Sequence, residues 1–316
     1  MTDTTATQWS APSAEAIAGV PDHSGLPQDA KHELFGDPPK TIGRLLSADS
    51  TLKPGKVGLT AGARFALAVA VALIAICILY FWVEHVGRSA QVSVVIFGGM
   101  VSLLAVFIAW TSPKLWARAS YVGAEGLYDV IVSGTRSSPQ IHRTLRFADA
   151  AELHVSQTRK LKNGQYHGTH YSFFWNDAAG KLLYDYKGEH HGNDKLPKPG
   201  DPFHFALAAE IAWTNFYLAQ VERQLQQEGA VSFRVDGKRF LRIGPGFIEF
   251  HFGEEPHRVT PADIAKVTLG GGEFSFKHKD AKWFSKEGKY KFSYAGMANA
   301  KVFLLACDKF LGYRWS

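Results

Sequence analysis

The sequence predicts a membrane-anchored protein in which an N-terminal transmembrane hairpin of two helices is followed by an α+β soluble region. Two runs of 19 residues, 65–83 and 92–110, contain no charged side chain. A helix needs about 20 apolar residues to cross a bilayer core, so each run is long enough to span one. After residue 113 the pattern changes to short strand-like segments divided by polar turns, with two helical segments among them.

The apolar residues are concentrated in a few segments of the chain. Mean hydropathy is only −0.10 over 316 residues, although 46% of them are hydrophobic. The two cysteines, Cys77 and Cys307, form no disulfide framework and fit a reducing compartment. Net charge is +6, and residues 231–316 account for it with 15 basic and 9 acidic residues. This excess suits anionic lipid head groups; no nucleic-acid motif accompanies it, so nucleic acid is not predicted as a partner.

The hairpin is assigned to residues 61–112, with helices at about 65–83 and 92–110. The link between them, residues 84–91, permits only an antiparallel turn. Lys53, Lys56 and Arg64 precede the first helix, and Lys114 and Arg118 follow the second. The positive-inside rule therefore predicts a multi-pass protein of the cytoplasmic (inner) membrane with both termini in the cytoplasm. Neither run holds an ionisable residue, so the hairpin is interpreted as an anchor and not as a transport path.

Residues 1–60 are predicted to form a disordered cytoplasmic tail. They are rich in Ala, Ser, Thr, Asp, Gly and Pro, and they keep neither a helical nor a strand period.

The sequence predicts two consecutive units in the region after the hairpin, 113–229 and 230–316. The first ends in a clear helix that begins near Asp201 and stops at Gly229; the second ends in a helix at about 298–310. Short segments of the two units match at similar spacings, which predicts an internal duplication. The matched pairs are Gly126-Leu127 with Gly246-Phe247, His142-Arg143 with His257-Arg258, Ala148-Asp149 with Ala262-Asp263, and Ala151-Glu152-Leu153 with Ala265-Lys266-Val267.

Six or seven strands followed by one helix resemble the pleckstrin-homology-like (PH-like) domain, including bacterial PH-like domains found beside transmembrane hairpins. The resemblance rests on the Gly-Leu-Tyr and Gly-Phe-Ile strand starts, the Ala-Asp turns and the closing helices. It implies two PH-like β-barrels, each closed by its C-terminal helix, with loops that bind lipid head groups or peptides. The rival fold is one larger α+β domain on a single antiparallel sheet.

The sequence contains no recognised catalytic motif: no P-loop, dinucleotide fingerprint, HExxH or GxSxG occurs. His167 and His170 in HGTH, and the EHHGND stretch at 189–194, contain side chains that could hold Zn²⁺. The i, i+3 spacing of HGTH does not suit one face of a strand, so no metal, cofactor or catalytic residue is predicted. A metalloenzyme that uses these histidines is kept as an alternative.

Two basic segments are the candidate sites for anionic lipid or for a membrane or cytoplasmic protein partner. Solvated loops are the alternative interpretation of both. The leading hypothesis is a membrane-anchored cytoplasmic binding or scaffold protein without enzymatic activity; the alternative is an accessory subunit of a larger membrane complex. The candidate residues are Arg159, Lys160 and Lys162 in the first segment, and Lys277, Lys279, Lys282, Trp283, Phe284 and Lys286 in the second.

Overall fold

The computed structural model describes residues 17, 19–27, 38–50, 61–85, 99–100, 103, 115–134, 140–191, 197–281, 288–313 and 315. Two halves follow each other in this part of the chain, and each contains seven strands and ends in a helix. The elements of the first half are β1 (Leu45–Ser50), α1 (Ala61–His85), β2 (Leu115–Gly123), β3 (Gly126–Gly134), β4 (Gln140–Arg146), β5 (Glu152–Lys162), β6 (Gln165–Asn176), β7 (Leu182–His190) and α2 (Phe203–Glu228).

The second half repeats this order without a helix between its first two strands. Its elements are β8 (Val231–Asp236), β9 (Arg239–Gly244), β10 (Phe247–His251), β11 (His257–Val259), β12 (Ile264–Gly270), β13 (Glu273–His278), β14 (Lys289–Ser293) and α3 (Ala300–Leu311).

Each half folds into one four-stranded and one three-stranded antiparallel sheet. In the first half the sheet orders are β1-β2-β3-β4 and β5-β6-β7; in the second they are β11-β10-β9-β8 and β12-β13-β14. Within each sheet, strands that are neighbours along the chain therefore pair with each other. The segments matched in the sequence lie on elements of the same rank: His142-Arg143 is in the fourth strand of its half, and so is His257-Arg258.

The four sheets do not close into barrels within the described residues, so the prediction of two closed PH-like barrels is wrong. The alternative prediction, one α+β domain on a single antiparallel sheet, is also wrong, because the described strands form four sheets. Closure would require β4 to pair with β5 and β11 with β12, but a short 3₁₀ helix separates each pair, at Phe147–Asp149 and at Pro261–Asp263. At the second, the Asp263 carboxylate accepts hydrogen bonds from the Thr260 amide (2.8 Å) and hydroxyl (2.7 Å), which turns the chain out of the first sheet.

Among the residues and side chains that the structure describes, no helix combines the length and the apolar character that crossing a membrane requires. This finding contradicts the predicted transmembrane hairpin, and with it the membrane anchor and the multi-pass location in the cytoplasmic membrane. A span needs about 20 apolar residues in one continuous helix. Of the second predicted helix, only residues 99–100 and 103 are described.

The N-terminal segment is folded where it is described, although the sequence predicted disorder over residues 1–60. β1 pairs with β2 in antiparallel register, with Ala48 opposite Tyr121. Ile17 and Ile42 are buried in a small core with Tyr121 and other residues of the same sheet. These isolated apolar residues follow neither a helical nor a strand period. Their burial is therefore visible only in the tertiary contacts.

Helix α2 joins the main cores of the two halves. Phe205, Ala209 and Trp213 near its start are buried in the core of the first half. Val221 is buried in the core of the second half, and Leu225 packs against it. The helix ends as predicted at Gly229, whose φ of 69° suits a glycine and whose N–H bonds the Leu225 carbonyl at 2.9 Å.

Candidate functional site

The most prominent surface feature of the first half is the hairpin formed by β5 and β6. Its turn, Asn163-Gly164, has positive φ at both residues (53° and 77°), as a two-residue type I′ turn requires. Asparagine and glycine tolerate this conformation at low cost, so the local sequence itself specifies a tight hairpin. All nine residues from 157 to 165 are exposed, and the hairpin tip therefore extends beyond the core.

The tip combines positive charge with one exposed apolar side chain. Arg159, Lys160 and Lys162 are all exposed there. Leu161 lies among them with 63% of its surface accessible. The structure shows no ion pair for Lys160 or Lys162 within its described residues. A β-bulge next to Leu161 places one extra residue on β6 and interrupts the regular alternation of side chains.

Antiparallel pairing of β6 with β7 brings the two histidine segments of the sequence together at the base of this tip. His170 lies opposite Glu189, with 3.5 Å between His170 Nε2 and Glu189 Oε2. His191 Nδ1 lies 2.9 Å from the backbone carbonyl oxygen of His167, to which it donates as the Nδ1–H tautomer. Gly168 makes this approach possible, because a side chain there would collide with Glu189 and His191.

These histidines do not form a metal centre in the structure. In the described part of the chain, no three His, Cys, Asp or Glu side chains are grouped so that they could hold a metal ion. The metalloenzyme alternative therefore gains no support from this cluster.

The second basic segment lies apart from the first. Lys277 is on β13, in a sheet of the second half, and Lys279 lies in the turn that follows. The Lys279 amide donates to the Asp263 carbonyl oxygen at 2.8 Å, which ties this turn to the neighbouring 3₁₀ helix. The predicted residues Lys282, Trp283, Phe284 and Lys286 lie outside the described residues. The two basic segments belong to different sheets, one in each half of the chain.

A buried charged cluster that the sequence did not predict lies between the two sheets of the first half. The Asp129 side chain is fully buried and forms an ion pair with Arg118, whose Nη2 lies 2.6 Å from Asp129 Oδ2. The Tyr184 hydroxyl donates to the same oxygen. Burial raises the pKa of Tyr184 well above its usual value, and the neighbouring Asp129 charge acts in the same direction. The only sequence signal was one aspartate in the apolar strand GLYDVIV.

The role of this cluster is structural, because it links the two sheets of the first half. The Arg118 guanidinium also stacks over Tyr186, 4.5 Å from its ring centroid, so one arginine contacts β3 and β7 together. A buried ion pair that loses one partner leaves an uncompensated charge, which makes such a contact costly to disrupt.

Comparison with protein-family models and with curated proteins gives no match for this chain.

Proposed function

We propose that the protein is a non-enzymatic scaffold that binds an acidic protein partner through the tip of the β5–β6 hairpin. The observation that carries this proposal is the exposure of nine consecutive residues, 157–165, among which Lys160 and Lys162 flank Leu161. An exposed apolar side chain between cations is suited to an apolar pocket with an acidic rim. Charges at such a rim steer the encounter, and the buried anchor supplies much of the affinity.

A protein partner fits this hairpin better than an anionic lipid surface does. The tip is narrow, and the two-residue turn fixes its shape, so it can enter a concave site with little loss of conformational entropy. A lipid surface would favour several cations spread over a flat face, whereas the second basic segment belongs to another sheet.

We further propose that the two halves are PH-like units related by duplication. The support is the order of elements, which is seven strands and a helix in each half, and the equivalent rank of the matched sequence segments. Loops of PH-like domains bind ligands, and the β5–β6 turn is such a loop in the first unit.

Photo-crosslinking from the full-length chain in its own cells tests the proposed partner. A photoreactive residue in place of Leu161 should give a discrete protein adduct, because this side chain is expected to enter the partner. The matched control position is Leu182, which is 48% exposed and lies in the same sheet; no adduct is expected there.

The adduct from position 161 should weaken when Lys160 and Lys162 are both replaced by Ala. In a lysate of the same cells it should also weaken at about 0.5 M salt, which screens exposed charges. The double variant Lys40→Ala, Lys181→Ala removes two other exposed cations and should leave the adduct unchanged. Equal adducts from positions 161 and 182 would contradict the proposal. Crosslinking to phospholipid alone would replace the protein partner with a lipid surface.

A further inference from the structure

A groove with a cavity of about 470 Å³ lies where the two halves meet. One wall is the β6–β7 turn of the first half, at Ala178. The β8–β9 hairpin of the second half also lines the groove, at Arg234 and at Gly237-Lys238-Arg239. This volume falls within the range of about 300–1,000 Å³ that is typical of small-molecule sites. Neither half forms the groove alone.

Positive charge dominates the lining of this groove. Its charged side chains are Arg234, Lys238, Arg239 and Glu152. Arg234 is paired with Glu152, and Arg239 with Asp236 beside the groove. Lys238 is exposed at the hairpin turn, and the described residues provide no carboxylate within ion-pair distance of it. The groove therefore presents one uncompensated cation beside two arginines that are already held in place by carboxylates.

The floor of the groove is fixed by hydrogen bonds between the two halves. Asn299 Oδ1 accepts from the Leu153 amide and from Trp213 Nε1, each at 2.9 Å. Asn299 Nδ2 donates to the Ala151 carbonyl oxygen at 3.0 Å. Because this side chain is buried and hydrogen-bonded through both its oxygen and its nitrogen, the floor is held in a single arrangement before any ligand binds.

The groove also offers aromatic surface beside its cations. Tyr217 and Phe240, both partly exposed, contribute to the lining. The Phe240 ring stacks on His251 with 4.1 Å between ring centroids, which limits its rotation. Apolar walls with a few fixed polar groups are the usual composition of a site that orients a small ligand.

We propose that this groove binds a small molecule that carries a phosphate or carboxylate group. Lys238 receives the anionic group, and the Arg234 guanidinium, already oriented by Glu152, donates to it from the same wall. Arginine and lysine together suit an anion with several oxygens, because arginine donates in a fixed planar geometry and lysine supplies a compact charge.

Titration of the full-length chain with inorganic pyrophosphate and, separately, with citrate tests this proposal. Binding is followed by ¹H–¹⁵N spectra at constant ionic strength. Saturable shifts are expected at the amides of Gly237 and Lys238 with at least one probe, and the responding probe identifies the preferred anion. Lys238→Glu should weaken binding by about tenfold or more, since it reverses the uncompensated charge.

Two controls separate this site from general surface attraction and from the hairpin. Lys266→Glu changes an exposed lysine of the same half and should leave the affinity unchanged; so should the Lys160→Ala, Lys162→Ala variant, which concerns only the protein partner. Equal weakening by Lys238→Glu and Lys266→Glu would overturn the proposal. So would the lack of any saturable shift with either probe up to about 10 mM, because that affinity is too weak for a specific site.

Discussion

At the scale of single residues, His23 shows how a polar side chain holds the N-terminal segment in place. Its ring nitrogens lie 2.8 Å from Ser47 Oγ and 3.0 Å from Ser120 Oγ, so a neutral ring donates to one hydroxyl and accepts from the other. Burial lowers the pKa of His23 to about 3. Arg118 and His204 act in the same direction, whereas Asp22 opposes them.

This lowered pKa makes the stability depend on pH. An unfolded histidine binds a proton near pH 6.5, whereas the folded His23 does so only near pH 3. The unfolded state therefore binds more protons between these values, and stability is lost as the pH falls from about 6.5 towards 3. The His23 contribution to the free energy of unfolding should fall by about 2 kcal/mol between about pH 7.5 and pH 5.

Urea unfolding at both pH values measures this effect. His23→Gln keeps a donor and an acceptor without a titrating group, so its stability should vary less with pH. His167→Gln removes an exposed histidine and should vary with pH as the unmodified chain does. A similar pH dependence in the His23→Gln variant and the unmodified chain would show that His23 is not the group responsible.

At the scale of elements, the turn between β2 and β3 is shaped to receive the 3₁₀ helix Lys40–Ile42. The Glu125 amide donates to the Ile42 carbonyl oxygen at 2.8 Å, and the Ala124 amide to the Arg44 carbonyl oxygen at 2.9 Å. Gly123 allows this approach, because a side chain at this position would collide with the Ile42 carbonyl group. The backbone of Ile42 cannot yield without losing the hydrogen bond to Glu125.

Gly123→Ala should therefore destabilise the protein by about 1–3 kcal/mol, the usual cost of overpacking. Urea unfolding measures that cost, and limited proteolysis should show earlier cleavage in the N-terminal segment. Gly270→Ala is the matched control, since Gly270 also ends a strand, β12, and a Cβ there would meet no atom within 4 Å. Similar losses of stability in the two variants would exclude steric contact with Ile42 as the cause.

At the scale of the whole molecule, Asn299 and α2 make the two halves one folded body. Asn299 has a left-handed backbone with φ of 56°, is 5% exposed, and bonds to both strand β5 and Trp213. An ion pair between Lys301 Nζ and Glu210 Oε2 at 3.3 Å adds a second link between α2 and α3. We expect the halves to unfold together.

Asn299→Ala should lower the free energy of unfolding by about 2–4 kcal/mol, because it leaves the buried Trp213 N–H and Leu153 N–H without an acceptor. Urea unfolding followed by tryptophan fluorescence measures the loss. Asn163→Ala is the control for backbone strain, since Asn163 has nearly the same φ, 53°, but is exposed. The control should lose about 1 kcal/mol, and an equal loss in both variants would rule out the buried hydrogen bonds as the cause.

Local patterns in the sequence specify several elements of the fold. The period and glycine stop of α2, the Asn163-Gly164 turn and the alternating strands such as β13 lie where these patterns predict them, because each depends on residues close in the chain. The repeated order of elements also follows from short matching segments. Of the candidate site, the three cations of the hairpin tip were predicted.

Contacts between these elements are visible only in the folded structure. It pairs β1 with β2 across 64 intervening residues, places Ile42 against the β2–β3 turn, and divides the strands into four sheets. It also assembles the groove from both halves and surrounds Asp129 with Arg118 and Tyr184. These contacts depend on the burial and hydrogen bonding of residues distant in the chain, whereas a sequence pattern reports only the spacing of neighbours.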